Sequence, residues 1–273
     1  MAKKISIITI NYNNKAGLQK TIDSVFSQTS KDYEFILIDG DSNDGSKELL
    51  QQHQDKFTYW VSERDKGIYH AMNKGISVAK GDYLLFLNSG DYLAEDMMLE
   101  KIEAQIDGRY DIYYGDIIFD EINKRRKIVF PEILTFDFFF RDNLSHQSSF
   151  IKRELFDQIF YYNEDFKIVS DWEFLIYAIC KHNVSYKHMD LLTTIYDGSG
   201  YSSNPNNYTT VYTERGISLK KHFPTFITDY EQISQLKQRR IQQVLAIQKS
   251  PFAWKVLKFF IKIVWLITPK KAI

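Results

Sequence analysis

Short, β-branched apolar runs alternate with segments of helical spacing through the first hundred residues. Ile5 to Ile10 and Phe35 to Ile38 are bounded by polar turns, as strands buried on both faces of a parallel sheet are. Between them, Ala16 to Gln28 sets Leu18, Ile22, Val25 and Phe26 at helical spacing. The unit repeats: a helix over Ser46 to His53, a strand near Thr58 to Val61, a helix over Ile68 to Val78 and a strand over Tyr83 to Leu87. This alternation predicts an open α/β sheet with its ligand crevice at the carboxyl ends of the strands. Each of those ends is polar: Thr9 to Asn14, Asp39 to Gly45, Glu63 to Gly67, and Asn88 to Asp91.

From about Asp107 the pattern loosens. It predicts strands near Ile112 to Tyr114, Ile117 to Asp120, Lys127 to Phe130, Ser148 to Lys152, Ser185 to His188 and Leu191 to Tyr196, and a helix over Trp172 to Lys181. The Gly- and Ser-rich stretch Asp197 to Pro205 reads as a mobile loop of the kind that serves as a lid. Helices follow over Tyr208 to His222 and Asp229 to Gln248, and a final element begins after Pro251.

With 273 residues, 44% of them hydrophobic, the chain is long enough for one large domain with extensions and is not a disordered polymer. One cysteine, Cys180, forms no internal disulfide, and the N-terminus lacks the long apolar region of a signal peptide, so cytoplasmic residence is expected. The 35 basic and 35 acidic side chains cancel, but unevenly along the chain. No acid follows Glu231, and the last 42 residues carry nine Lys and Arg, leaving 26 basic against 35 acidic side chains in the body. That asymmetry points to an anionic contact at the C-terminus.

The four strand-end loops bring Asp39, Asp41, Asp44, Asp65 and Asp91 to one edge, together with Asn, Ser and Gly. Acids and glycines there suit a ribose, a divalent cation and a close backbone approach to phosphate, although Asp and Gly also simply make good turns. No G-x-G-x-x-G follows the first strand and no G-x-x-x-x-G-K-[ST] occurs, which disfavours a dehydrogenase or a P-loop ATPase. No His or Cys cluster has zinc spacing.

The run Ile5 to Asn13, then Ser27-Gln28, Tyr33 to Ser46, Asn73-Lys74-Gly75, Ala79 to Tyr83 and Phe86-Leu87-Asn88-Ser89-Gly90-Asp91 resembles the N-terminal half of the family 2 glycosyltransferases with a GT-A fold. Glu63 to Tyr69 is similar to a bacterial branch that builds polysaccharide repeat units, and His146-Gln147, Ser170 to Glu173 and Gly198 to Ser202 match the second half more thinly. The resemblance implies a GT-A (Rossmann-like) open mixed sheet flanked by helices. It implies transfer of a sugar from a nucleotide-diphosphate donor to an acceptor hydroxyl, with inversion.

By the same resemblance Thr9, Asn11, Asp39, Asp41 and Asp65 surround the donor nucleoside, with Lys74 and Asn88 also on the donor side. Gly40 stands where many relatives have a second acid. Asp91 closes the motif in which the family carries two or three acids. A Mg2+ or Mn2+ ion on Asp91 and the two phosphates is still expected, because such ions keep waters and need few protein ligands. Asp171 is the expected general base; an ordinary helix cap at Ser170 or Asp171 is the competing and compatible role. His146 and Trp172 are placed with the acceptor, Trp172 as an apolar floor beneath a sugar ring. Alternatives are a sugar nucleotidyltransferase, whose basic glycine-rich loop is not visible here, or a non-catalytic nucleotide- or carbohydrate-binding module.

Phe252 to Ile267 holds 13 apolar residues and three lysines, and Lys255, Lys258 and Lys262 share an arc of about 60° on a helix. At 1.5 Å per residue the helix would reach about 24 Å, short of a hydrocarbon core of about 30 Å, so it is expected to lie in a membrane interface, with Trp254 and Trp265 at headgroup level. The expected organisation is a catalytic domain over 1–205 (donor half 1–105, acceptor half 106–205), a helical extension over 206–250 and a membrane-associating tail over 251–273. The expected acceptor is a lipid-linked saccharide at the inner face of the cell membrane, with no role for nucleic acid.

Overall fold

The computed structural model describes residues 5–121, 124–236 and 239–268; Lys237, Lys270 and Lys271 of the basic tail lie outside them. The first half is built as its periodicity predicts. Strands β1 (Ile5–Asn11), β2 (Tyr33–Asp39), β3 (Tyr59–Ser62) and β4 (Tyr83–Phe86) alternate with helices α1 (Lys15–Phe26), α2 (Ser46–Gln52) and α3 (Ile68–Val78). β2 lies between β1 and β3, and β1 pairs with β4 on its other side, all in parallel. Asn14 caps α1 by accepting the Gly17 N–H at 3.1 Å, and the helix buries Leu18, Ile22 and Val25, the positions its spacing selected. These side chains pack on Ile5, Ile7, Phe35 and Leu37, each such burial contributing about 1.5–3 kcal/mol.

The second half turns the sheet into a mixed one. β5 (Tyr92–Leu93) and α4 (Met98–Glu103) follow β4; then come β6 (Ile112–Glu121), β7 (Lys124–Ile128), α5 (Phe136–Arg141), β8 (Ser149–Lys152), α6 (Glu154–Gln158), α7 (Ser170–Cys180) and β9 (Tyr186–Asp197). The order is β3-β2-β1-β4-β8-β6-β9-β5, with β7 paired to β6. β8 is antiparallel to both β4 and β6, and β9 is parallel to β6.

Two pairs of short strands expected here prove to be single long ones. β6 runs through Gly115 and β9 through Asp190, paired across an irregularity at Tyr114 to Ile117. Gly115 looked like a break but marks a close approach: a Cβ there would lie 2.5 Å from the Thr193 side chain and 2.7 Å from the Leu191 carbonyl. The short elements β5, α4, α5 and α6 carry too few residues to show a period, and none was expected. The expected helix over Asp229 to Gln248 is instead α9 (Pro224–Leu236) and α10 (Arg239–Gln248).

The backbone divides into two compact units, residues 1–215 and 216–273, so the division falls inside α8 (Tyr208–His222). The second unit ends in α11 (Pro251–Ile267), capped by Ser250 with Pro251 at its first position. No residue of α11 is buried; Phe252, Leu266 and Ile267 are at least 79% exposed. No helix among the described residues is long and apolar enough to cross a membrane.

Candidate active site

The carboxyl ends of β1 and β2 are tied into a closed polar knot. Asp39 accepts from the Asn11 amide at 2.7 Å, the Ser42 hydroxyl at 2.6 Å, the Ser42 N–H at 3.0 Å and the Ser62 hydroxyl at 2.6 Å. Asp39 is fully buried, and these four donors satisfy it. Thr9, also fully buried, donates to the Leu87 carbonyl at 2.6 Å and stitches β1 to the end of β4. That bond gives the Thr9 hydroxyl a framework role. The buried Asn11 Oδ1 has no partner among the described residues and is the one unused acceptor of Asn11.

Gly40 leaves room for a neighbour. A Cβ at this position would lie 2.7 Å from Asp65 Oδ2 and 3.1 Å from the Tyr12 ring. Asp65 reaches into that space from the loop after β3, while its Oδ1 accepts the Gly67 N–H at 2.9 Å. Tyr12 is 68% exposed beside Gly40, an aromatic face at the mouth of the knot that the sequence reading passed over. Asp41 adopts a left-handed backbone (φ 65°) and pairs loosely with Lys47 at 3.7 Å. Lys74, expected on the donor side, pairs with Glu63 at 2.7 Å.

The loop after β4 presents Asp91. This carboxyl is buried, with one oxygen accepting the Asp197 N–H at 2.9 Å. Burial pushes it up to about 7, against the lowering effects of that N–H, of nearby His146 and of the Gln147 side chain, while the charge of Asp197 adds to the rise. Gly90 has φ 109°, and a Cβ there would lie 2.7 Å from Asp197 Oδ2, so the glycine lets the end of β9 come close to this loop.

Among the described residues no group of three or more His, Cys, Asp or Glu side chains converges as a metal site. Asp91 is a hard oxygen donor that lacks counter-charge where it is buried, which is the chemistry of a carboxylate able to take a divalent cation that keeps most of its waters. Asn88, expected with the donor, turns its amide to His146 Nε2 at 3.2 Å.

Asp171, in the first turn of α7, does not cap the helix. The N-cap is Val169, without a side-chain hydrogen bond, and the Asp171 carboxylate turns into the sheet. The Tyr69 hydroxyl of α3 donates to Oδ1 at 2.8 Å, and His146 Nδ1 lies 2.7 Å from Oδ2. Burial alone would raise this carboxyl; His146, the Tyr69 hydroxyl and the Trp172 N–H outweigh it and hold Asp171 below its ordinary range. Tyr69 is itself pushed far up by burial and by Asp171, so it stays a donor.

The loop entering α7 is held from α8. The Glu214 carboxylate accepts the N–H groups of Lys167, Ile168 and Val169 at 2.7, 3.0 and 3.3 Å. Trp172 is 1% exposed, donates to the Phe139 carbonyl at 2.8 Å and carries Arg215 over its ring at 4.7 Å. It is a core side chain, and the expected sugar floor is not there. The Asp197 to Pro205 loop is drawn into two short 3₁₀ turns, with the Tyr196 hydroxyl bonded to Ser202 and Ser203 at 2.9 and 2.7 Å.

One edge of a mixed sheet therefore carries the Asp39 knot, the buried Asp91 carboxyl and a buried carboxylate held by Tyr and His. Residues 6–168, more than half of the chain, match the model of Glycosyl transferase family 2, and the chain belongs to that family. The PGL/p-HBAD biosynthesis glycosyltransferase of Mycobacterium bovis is 33% identical over 215 residues, 74% of this chain and 80% of that protein. The cholesterol galactosyltransferase of Borreliella burgdorferi is 34% identical over 134 residues, covering 47% of this chain and 37% of its own.

Among solved structures, S. aureus TarS has a TM-score of 0.63 at 18% identity, covering 81% of this chain and 66% of its own, and is also solved with UDP and with UDP-GlcNAc. The mannosyltransferase PcManGT from Pyrobaculum calidifontis, in complex with GDP-Man and Mn2+, has a TM-score of 0.57 at 14% identity, covering 84% of this chain and 65% of its own. These two likenesses establish the fold, and the chain spans about two thirds of the length of each.

Proposed function

We propose that this glycosyltransferase moves a sugar from a nucleoside-diphosphate donor to an acceptor hydroxyl with inversion, and that Asp171 is its general base. The observation that carries the reading is the Asp171 carboxylate, buried at the sheet edge yet kept ionised by Tyr69 and His146. As the acceptor oxygen bonds to the anomeric carbon, its proton passes to Asp171. The sugar–phosphate C–O bond breaks on the opposite face, and its electron pair leaves with the diphosphate.

Asn11 Oδ1, the Tyr12 face and Asp65 would receive the nucleoside, and the solved relatives that hold UDP-GlcNAc or GDP-Man support a nucleotide-sugar donor. Asp91 would hold a Mg2+ or Mn2+ ion. Such an ion neutralises charge on a leaving diphosphate. Asp171→Asn should leave binding of nucleoside diphosphates unchanged in calorimetry and lower turnover by about 10²–10⁴-fold; retained turnover would remove Asp171 from the role.

The acceptor is, in this reading, a lipid-linked saccharide of surface-polysaccharide synthesis, met at the cytoplasmic face of the membrane. α11 supports it: a helix with exposed apolar side chains, Lys255, Lys258 and Lys262 on one side, and Trp254 under Lys258 at 5.9 Å. The chain ended after Ser250 should lose flotation with anionic liposomes, and unchanged flotation would refute the anchor.

A further inference from the structure

Asn88, His146 and Asp171 form one line of hydrogen bonds from the loop after β4 to the first turn of α7. Both ring nitrogens of His146 are used inside the protein, and its side chain is 16% exposed against 6% for Asp171. Asp171 Oδ2 lies 2.7 Å from Nδ1, and an ionised carboxylate there needs an N–H, so the ring carries a proton on Nδ1; the Asn88 side-chain amide lies 3.2 Å from Nε2 at the other end of the ring. Tyr69 takes the other oxygen from the opposite side. A carboxylate gripped at both oxygens by donors on two different elements has one orientation, and its remaining lone pairs are the only ones left for an acceptor proton.

We propose that His146 is a positioning residue for the base: with a proton on Nδ1 and its far nitrogen held by Asn88, it orients the Asp171 carboxylate and keeps it ionised. This rests on the reading of Asp171 as the base. Asn88 sits three residues before Asp91, so the ring that serves the base is braced by the loop that carries Asp91. The groups that face Asp171 are His146, Tyr69 of α3, Tyr162 before α7, Tyr196 of β9 and Arg215 of α8. Of these, His146 and Tyr69 reach the carboxylate by hydrogen bonds. A change confined to His146 therefore acts on Asp171 through one bond.

Two nitrogen-bearing substitutions separate the two ends of the ring. His146→Asn puts an amide nitrogen near the place of Nδ1, and His146→Gln puts one near the place of Nε2. Nitrogen-15 spectra of the whole protein, with the His146 signals assigned by difference against His146→Gln, should show Nδ1 protonated; a bare Nδ1 overturns the proposal. Carbon-13 spectra of the Asp171 carboxyl should show its titration moving to higher pH in His146→Gln and staying near the wild-type position in His146→Asn.

Turnover of a nucleotide sugar, drawn from a panel of UDP-GlcNAc, UDP-galactose and GDP-mannose, should fall about 10–100-fold in His146→Gln. The donor KM should stay within about twofold, and the acidic limb of the pH profile should rise. His146→Asn should recover most of the loss. An unmoved Asp171 titration in both variants sinks the role of His146 while leaving Asp171 as the base, whereas an active Asp171→Asn sinks the base itself.

Discussion

Two buried acids at the same sheet edge, Asp39 and Asp91, are held in opposite ways. Asp39 receives four donors from Asn11, Ser42 and Ser62. Asp91 receives the Asp197 N–H at 2.9 Å, too little to offset its burial, which drives it to about 7. The difference separates a carboxylate that builds the site from one poised to take a charge from outside. Burial tells little until donors are counted.

The comparison breaks most sharply at Asp39. Asp39→Asn turns one of its oxygens into a donor facing donors, and should cost about 3 kcal/mol of stability, measured by denaturant unfolding, together with nucleotide binding. A loss below about 1 kcal/mol would mean that the knot is not what holds the ends of β1 to β3.

Asp91→Asn should do the reverse. In the folded protein Asp91 keeps its proton up to about 7, whereas in the unfolded chain it loses it near 3.8. Between those values the folded state binds more protons than the unfolded one, so this group makes stability fall as pH rises from about 4 to about 7. Without added cation Asp91→Asn should therefore match the wild type near pH 4 and exceed it at pH 8 by about 2–4 kcal/mol. Added Mn2+ should raise the Tm of the wild type at pH 8 and leave that of Asp91→Asn in place. Equal Mn2+ shifts in both would remove Asp91 from the cation.

The smallest effect is expected at Tyr69→Phe, which deletes one donor to Asp171 and should lower turnover about fivefold, with the acidic limb of the pH profile moving up. An unchanged limb would assign the grip on Asp171 to His146 alone.

The first hundred residues were legible because each strand and helix there carries its own periodicity: β1, β2 and β4 are buried apolar runs, β3 is a short edge strand, and α1 and α3 bury the faces their spacing selects. The polar strand ends, and Asp171 in the first turn of α7, could be picked out from the sequence. Their partners could not. Tyr69 meets Asp171 across 102 positions, and Asp197 meets Asp91 across 106. Glu214, which holds the loop entering α7, lies in a helix with no motif of its own. Trp172 shows the converse error: its place beside the base suggested a sugar platform, while the packing of Phe139 and Arg215 encloses it.

What the sequence by itself determined was the parallel half-sheet, the set of acids at its carboxyl edge and the family, since periodicity and loop chemistry are local properties of the chain. The tertiary structure alone decided which of those acids is saturated, which is left short of donors and which is gripped by Tyr and His. The protonation of a buried carboxyl depends on the donors and charges within a few ångströms of it, and those arrive from segments that only the folded sheet brings together.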